Sequence, residues 1–565
     1  MRVIFPFIVG LALLSFMFFI LVVSTIGFGA GIPLAPFHVW LSIGGSFIFI
    51  FITAKFYDKH NHWKCFAGAG GLAVLLMCCF MYVSGMFYDI SYDGQVYHQE
   101  AVIQLANHWN PFQQYLTKDQ SQSAVLLNHY AKGPWIYEAA LYTVTGQIEE
   151  SKAFNFSLIA ASFLLAFSAM RNRGRCTVKQ AVFFSFLLAL NPVSIYQALS
   201  FYLDGQLASL LLCLLALSYQ MVMYYDRIVL FGFIMSIGLL VNVKFTGIVY
   251  AVACIGLLGG WLWLLQKKQA VWELGKTAIL GLVAGICILG YNPYMTNSYF
   301  YGHPFYPLYG AGPKSMDIMT SNSPKGFLQL SGIQKLYVAN FSMATNQFDT
   351  EDPVVKLPFR VTAQELKPFV YGADIRIGGF GPWFSGMVVI GGLIVLLLAV
   401  SPKKETLFGM GMVASILLSA LINPESWWAR YVPQIWLAFI CLAIVAWFSE
   451  KRVIRNLGKA LAGAAVINLV LIAYPYFLGN YYCTQALKQE LKEIAAYHNP
   501  INICFGEFTS NYVRFTKNNI SFVDAPADIA DINIDVIRYK YLTAAGKEEA
   551  LANIFAKERM EENEQ

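Results

Sequence analysis

The stretch YDISYDGQVYHQEAV, residues 88–102, gathers Asp89, Asp93, His98 and Glu100 in an otherwise strongly apolar chain. An ionised carboxylate can accept a proton from a hydroxyl group, so Asp93 is the first candidate for a general base and Asp89 the second. Asp93 also stands where a helix would begin, so a helix cap is its alternative role. For His98, a hydrogen-bonded surface position is the alternative to a place in a substrate site.

Three further ionisable residues stand beside apolar runs. They are Asp204 in SFYLDGQLASLLL, Lys244 in VNVKFTGIVY and Arg430 in NPESWWARYVPQIW. Such residues are costly against lipid, so they usually face a protein interior or a water-filled cavity. The alternatives are snorkelling for Lys244 and interfacial anchoring beside two tryptophans for Arg430. Two acids with a lysine and an arginine would suit an anionic, lipid-borne substrate, because a guanidinium binds phosphate well.

The elements that must position these residues are membrane helices. The 565 residues are 57% hydrophobic and only 13% charged, whereas soluble domains average about 25% charged. Apolar stretches near the length needed to cross a bilayer recur along the chain. They predict thirteen spans, at 4–27, 36–55, 65–87, 154–170, 180–197, 206–224, 228–243, 246–265, 276–292, 379–400, 406–422, 431–448 and 459–478.

The loops between the spans alternate in charge. KFYDKHNHWK, RNRGRCTVK, QKKQAVWELGK, SPKKET and SEKRVIRNLGK are basic and fall on one side, which the positive-inside rule assigns to the cytoplasm. The opposite side receives a first outer loop, 88–153, a long outer loop, 293–378, and the tail. We therefore predict an all-α polytopic membrane domain over 1–478 with about thirteen transmembrane helices, followed by a small extracytoplasmic α/β domain over 479–565.

Several classes of protein find no support in the sequence. It contains no P-loop, GxSxG, HExxH or paired CxxC motif, so ATP-driven transport, serine hydrolysis and zinc catalysis are not indicated. The net charge of +6 comes mainly from short loops, which argues against nucleic acid as a partner. No particular cofactor is indicated by the sequence. A divalent cation stays open, because Asp89, Asp93 and Asp204 are the oxygen ligands that magnesium or manganese prefers, although no spacing demands a metal.

Several of these pieces together resemble the GT-C superfamily of membrane glycosyltransferases, which use polyprenyl-phosphate sugars, and within it the protein O-mannosyltransferase and aminoarabinose-transferase type. The resemblance spans residues 86–310 and a short piece further on. It rests on YDGQVYHQEAVIQLANHWNPF, YAKGPWIYEAAL, FYLDGQLASLLL, VKFTG, YGHPFYPL and RYVPQIW. Two features differ from the family's pattern: the acidic loop follows the third span rather than the first, and the usual Asp-Glu pair reads Asp93-Gly94.

The resemblance implies a catalytic role for Asp93 and a position near the lipid phosphate for Lys244. It adds His98, Asp204 and His303 to the expected substrate-binding residues. The expected reaction is transfer of a sugar from a polyprenyl-phosphate donor to a glycan, lipid or protein acceptor at the outer face of a bacterial inner membrane, with inversion. Two other functions stay open: a transporter or flippase of lipid-linked saccharide, and a non-catalytic membrane scaffold.

Overall fold

The computed structural model describes residues 4–172, 176–223, 225–308, 322–324, 326–346, 352–400, 404–496 and 500–534. Eight helices in this part of the chain are long and apolar enough to cross a membrane: Ile4–Gly29, Pro36–Tyr57, His62–Gly85, Ile148–Arg171, Asp204–Met223, Phe245–Leu264, Lys268–Leu289 and Arg452–Ala495. Five shorter apolar helices accompany them: Val178–Ala189, Arg227–Val243, Phe384–Ala399, Thr406–Leu421 and Gln434–Trp447. The chain is therefore an integral membrane protein.

Each predicted span falls on one of these helices, while the total of thirteen crossings stays a prediction. The sequence merged two elements in 180–197, where the helix Val178–Ala189 ends and a short helix, Pro192–Tyr196, begins. The break has a local cause. The Asn191 side chain accepts a hydrogen bond from the Val193 amide at 3.0 Å and so caps a new helix whose first residue is Pro192.

One contact shows which end of the helix before Lys244 lies beside the basic loop at 55–64. The Tyr57 hydroxyl, at the end of the second helix, donates to both carboxylate oxygens of Asp226 at 2.8 and 2.9 Å. Asp226 caps the helix Arg227–Val243, so this helix begins on the side of the basic loop at 55–64. Lys244 follows its last residue and lies at the opposite end.

Short helices connect the long ones on the side that the sequence assigns to the exterior. They are Gln99–Ala106, Ala124–His129, Gly133–Thr145, Thr296–Tyr301, Gly332–Phe341 and Ala363–Tyr371. A π-helical turn, Gly94–His98, precedes the first of them, and 3-10 turns form at Ile148–Lys152, Phe327–Gln329 and Ala429–Tyr431. These segments carry most of the polar side chains described below.

A small α/β unit follows the last long helix. Three parallel strands, β1 (Ile501–Cys504), β2 (Phe522–Asp524) and β3 (Ile532–Asn533), form a sheet in the order β2-β1-β3. The 3-10 turn Thr509–Asn511 and the helix Tyr512–Lys517 connect β1 to β2. The helix Arg452–Ala495 runs without a break through residue 478, where the sequence places the domain boundary, and residues 535–565 of that predicted domain lie outside the described residues.

Candidate active site

Arg430 lies at the centre of a buried cluster of charges. It sits in the 3-10 turn Ala429–Tyr431, just before the helix Gln434–Trp447, and three carboxylates surround its guanidinium. Nη1 lies 3.4 Å from Asp93 and 3.7 Å from Asp204, and Nε lies 3.2 Å from Asp374. One arginine therefore joins acids from three segments that are far apart in the sequence.

Lys244 enters the same cluster from the junction of two membrane helices. Its extended backbone separates Arg227–Val243 from Phe245–Leu264, and its Nζ lies 2.9 Å from Asp204. Asp204 is the first residue of its helix, and its second oxygen accepts a hydrogen bond from Gln197 at 3.3 Å. Asp204 thus holds Lys244 and Arg430 side by side.

Aromatic rings form the walls of the cluster. The Arg430 guanidinium lies 4.5 Å from the Trp428 ring and 5.3 Å from the rings of Tyr202 and Tyr431, and Lys244 Nζ lies 4.5 Å from the Tyr431 ring. Contacts of this kind stabilise a cation in a site with little water.

The four residues that the sequence singled out beside apolar runs, Asp93, Asp204, Lys244 and Arg430, therefore meet in one place. They differ in exposure. The side chains of Lys244 and Asp93 are 23% and 22% exposed, whereas those of Asp204 and Arg430 are 3% and 11% exposed. An incoming substrate would first reach a carboxylate and an amine.

Two members of the cluster were missed by sequence analysis. Asp374 accepts a hydrogen bond from Trp428 Nε1 at 2.9 Å, and its other oxygen lies 3.8 Å from Arg376 Nη2. Arg376 also lies over the Trp428 ring, at 4.7 Å. Burial raises the pKa of Asp374, although the charges of Arg430 and Arg376 oppose the shift. With all groups ionised, the three acids and three cations of the cluster balance.

Asp89 lies apart from this cluster. It is fully buried, and its two carboxylate oxygens accept hydrogen bonds from the backbone amides of Ser91, at 2.8 Å, and Phe201, at 2.9 Å. Burial raises the pKa of Asp89 as well. Since both oxygens are engaged by the backbone, this geometry favours a structural role, and the reserve catalytic role of Asp89 stays a prediction.

The position of Asp89 explains why glycine follows Asp93. A Cβ atom on Gly94 would lie 2.0 Å from Asp89 Oδ2 and 2.2 Å from Ser91 Oγ, closer than atoms can approach. The second acid of the family's Asp-Glu pair therefore has no room in this loop. The difference from the family's pattern is a consequence of how residues 89–94 fold.

His98 is a buried neighbour of the cluster and is held in one tautomer. Its Nδ1 accepts a hydrogen bond from Trp135 Nε1 at 2.8 Å, and because an indole can only donate, the proton of the neutral imidazole is on Nε2. Burial lowers the pKa of His98 to about 3, an effect that Lys244 and Arg430 reinforce and Asp204 opposes. His98 is therefore a hydrogen-bond donor rather than a base at neutral pH.

We expect His98 to make the protein less stable at mildly acidic pH. In the unfolded chain the His98 imidazole has a pKa of 6.5 and is protonated below it. In the folded protein His98 binds this proton only near pH 3. Between about pH 6.5 and pH 3, the free energy of unfolding should therefore fall by about 1.4 kcal/mol for each pH unit of acidification. His98→Asn, which keeps an acceptor for Trp135, should lose less on going from pH 7.5 to 5.5 in thermal unfolding, while the exposed His108→Asn should behave as wild type. Equal pH dependence of wild type and His98→Asn would contradict this account.

His303 lies outside the cluster on the turn that follows Thr296–Tyr301. Its Nδ1 accepts a hydrogen bond from the Phe305 amide at 3.1 Å, and Phe305 lies 5.4 Å from the ring of Phe245, the neighbour of Lys244. Its substrate-binding role stays a prediction. Among the residues that the structure describes, no group of three or more His, Cys, Asp or Glu is placed to hold a metal ion.

The chain has little sequence similarity to known proteins. No protein-family model and no curated protein matches it. Among solved structures it is similar to ArnT from Cupriavidus metallidurans bound to undecaprenyl phosphate, with 16% identity and a TM-score of 0.39 over 82% of this chain and 87% of that chain. The apo state of ArnT gives the same identity and TM-score over 81% and 86%. These structures are of the aminoarabinose-transferase type to which the sequence bears a resemblance.

Proposed function

We propose that this protein transfers a sugar from a polyprenyl-phosphate donor to an acceptor hydroxyl, with inversion, at the outer face of a bacterial inner membrane. One observation carries the proposal: a partly exposed carboxylate and a partly exposed amine, Asp93 and Lys244, flank a buried arginine where several membrane helices end. This is the pairing of a proton acceptor with positive charge that sugar transfer from a phosphate requires.

Asp93 acts first on the acceptor. Its carboxylate takes the proton of the acceptor hydroxyl as the oxygen attacks the anomeric carbon of the sugar. The bond from that carbon to the phosphate oxygen breaks in the same step, so the configuration inverts. The proton on Asp93 then passes to water.

Lys244 and Arg430 act on the departing phosphate. The leaving oxygen keeps the electron pair of the broken bond, and nearby cations in a site with little water stabilise that charge. Asp204 contacts both cations, at 2.9 and 3.7 Å. When a donor phosphate binds beside them, it shares the two cations with Asp204.

The location of the cluster supports a lipid-borne donor. Asp204 and Lys244 stand at the ends of helices that are long and apolar enough to cross a membrane. The headgroup of a membrane-dissolved polyprenyl phosphate lies at that depth. A soluble nucleotide sugar has no lipid anchor that would bring it there. The acceptor is a hydroxyl group of a glycan, lipid or protein.

The test uses purified protein in lipid nanodiscs. The protein is incubated with a cell-envelope extract as acceptor and with either polyprenyl-phosphate sugars or nucleotide sugars as donor. Mass spectrometry should show that only the lipid-linked sugar is consumed and that free polyprenyl phosphate forms. In sealed proteoliposomes, a flippase would change the sidedness of a labelled donor and leave its sugar bond intact. That result, or consumption of nucleotide sugars alone, would overturn the proposal.

A further inference from the structure

The loop that carries Asp93 contacts the end of the last long helix and the C-terminal α/β unit. The Tyr88 amide donates to Thr484 Oγ1 at 3.1 Å, and the Tyr92 hydroxyl donates to Glu507 at 2.7 Å. Beyond Asp93, Ser510 Oγ donates to the Gln95 carbonyl at 2.6 Å. Residues on both sides of the proposed base therefore contact the last part of the chain.

The loop and the unit also share a hydrophobic core. Tyr88 and Ile90 are buried with side chains from the end of the last long helix and from the α/β unit, which include Leu487, Leu491, Ile503, Phe505 and Phe515. Loss of the whole unit would therefore leave Tyr88 and Ile90 less buried. The unit thus packs against the loop that carries Asp93.

Arg514 connects the unit to the loop through charge. Its side chain is 2% exposed and donates to Glu149 Oε1 from Nη2 at 2.8 Å and from Nε at 3.2 Å. Nη2 also donates to the Asp89 carbonyl at 2.6 Å, and Nη1 donates to Gln95 Oε1 at 3.4 Å. One buried guanidinium holds the loop both before and after Asp93.

Glu149 completes the connection. Its Oε2 accepts hydrogen bonds from the Asp89 amide at 3.0 Å and from Lys152 Nζ at 2.6 Å. Asp89 in turn accepts a hydrogen bond from the amide of Phe201, the neighbour of Tyr202 in the wall of the cluster. A set of buried hydrogen bonds therefore runs from Arg514 to Phe201, the residue before Tyr202 of the cluster.

From these contacts we propose that the C-terminal unit positions the catalytic loop and that Arg514 is its positioning residue. This inference rests on the proposed function, since it concerns the placement of Asp93 as a base. Arg514 touches no reacting atom. It holds the Asp89 carbonyl and the Gln95 side chain, and a displacement of about 1 Å in a reacting group can cost on the order of 10²-fold in rate.

The experiment compares Arg514→Met with Arg514→Lys in the full chain. We expect Arg514→Met to lower kcat by on the order of 10²-fold with an unchanged KM for the polyprenyl-phosphate sugar. Hydrogen exchange of residues 88–100 should become faster. Arg514→Lys should recover part of kcat, because an ammonium can still donate to Glu149 and to the Asp89 carbonyl.

Lys356→Met is the matched control. Lys356 is also a buried cation that pairs with one glutamate, Glu365, and donates to a backbone carbonyl, that of Pro382 at 2.7 Å. It contacts neither the loop nor the cluster through any bond among the described residues. We expect it to lower thermal stability to a similar extent and to leave kcat unchanged. An equal loss of kcat in Lys356→Met and Arg514→Met would overturn the positioning role.

Should Arg514→Met fail to fold, the double variant Ser510→Ala with Asn511→Ala tests the same claim without leaving a buried charge unpaired. It removes the hydrogen bonds from Ser510 to the Gln95 carbonyl and from Asn511 to the Gln95 side chain, and it keeps the Arg514–Glu149 ion pair. A normal kcat in this variant overturns the inference. Wild-type protein that transfers no sugar would overturn the proposed function itself, whereas active wild type with equally active Arg514 and Ser510 variants would overturn only the positioning role.

Discussion

Arg430→Gln is expected to abolish transfer and to destabilise the protein at the same time. The glutamine keeps hydrogen-bonding capacity but removes a positive charge that lies within 3.7 Å of Asp93, Asp204 and Asp374. Removing one partner of a buried ion pair typically costs about 3–5 kcal/mol, because the remaining charge stays buried. A comparable loss of phosphate stabilisation would slow transfer by on the order of 10²–10⁴-fold.

The two effects can be separated with a second substitution. Asp374→Asn removes one of the carboxylates that lose Arg430 as a partner, so the double variant should regain part of the lost thermal stability. Transfer should stay low, because the cation beside the phosphate is still missing. Thermal unfolding and donor turnover, measured on the same preparations, give both readouts. Normal donor turnover by a folded Arg430→Gln protein would contradict a role in phosphate stabilisation and would favour interfacial anchoring instead.

Asp93→Asn is expected to bind donor normally and to transfer almost nothing. The substitution keeps the size of the side chain and its capacity to stand at the start of the π-helical turn, but it removes the proton acceptor. Loss of a general base typically costs about 10²–10⁴-fold in rate. The steady-state kcat should therefore fall by that factor, while the KM for the donor changes little.

Asp374→Asn and Asp89→Asn are the controls for this prediction. Asp374 is the other carboxylate near the mouth of the cluster, and a normal rate for Asp93→Asn with a dead Asp374→Asn would move the base to Asp374. Asp89→Asn should reduce folding yield rather than kcat, because an amide nitrogen would face one of the two backbone amides that Asp89 now accepts from. Normal transfer by both Asp93→Asn and Asp374→Asn would refute the mechanism.

The helices could be predicted from sequence because a membrane span needs little beyond length and apolar composition. The same logic found Asp93, Asp204, Lys244 and Arg430, since an ionisable residue beside an apolar run has few acceptable places to go. The sequence did not predict that these four side chains meet around Arg430. The approach of Arg430 to three acids depends on how helix ends meet, and no local pattern encodes that.

The missed residues have a different reason. Asp374 and Arg376 lie in the long outer loop, where charged residues are ordinary, and no motif surrounds them. One signal was present: DIR stands only a few residues before the apolar run at 384–399, as Asp93 stands just after the third span. The contacts of Arg514 with Glu149 and Asp89 were beyond sequence reasoning altogether, because they join residues 365 and more positions apart.

The anomeric configuration of the product tests the central claim most directly. A hydroxyl activated by Asp93 that attacks the anomeric carbon in one step inverts that centre, whereas a carboxylate that first forms a covalent sugar intermediate leads to retention. The configuration of the sugar in donor and product can be read from NMR coupling constants after a reaction with purified protein. The proposed mechanism predicts inversion, and retention would contradict it.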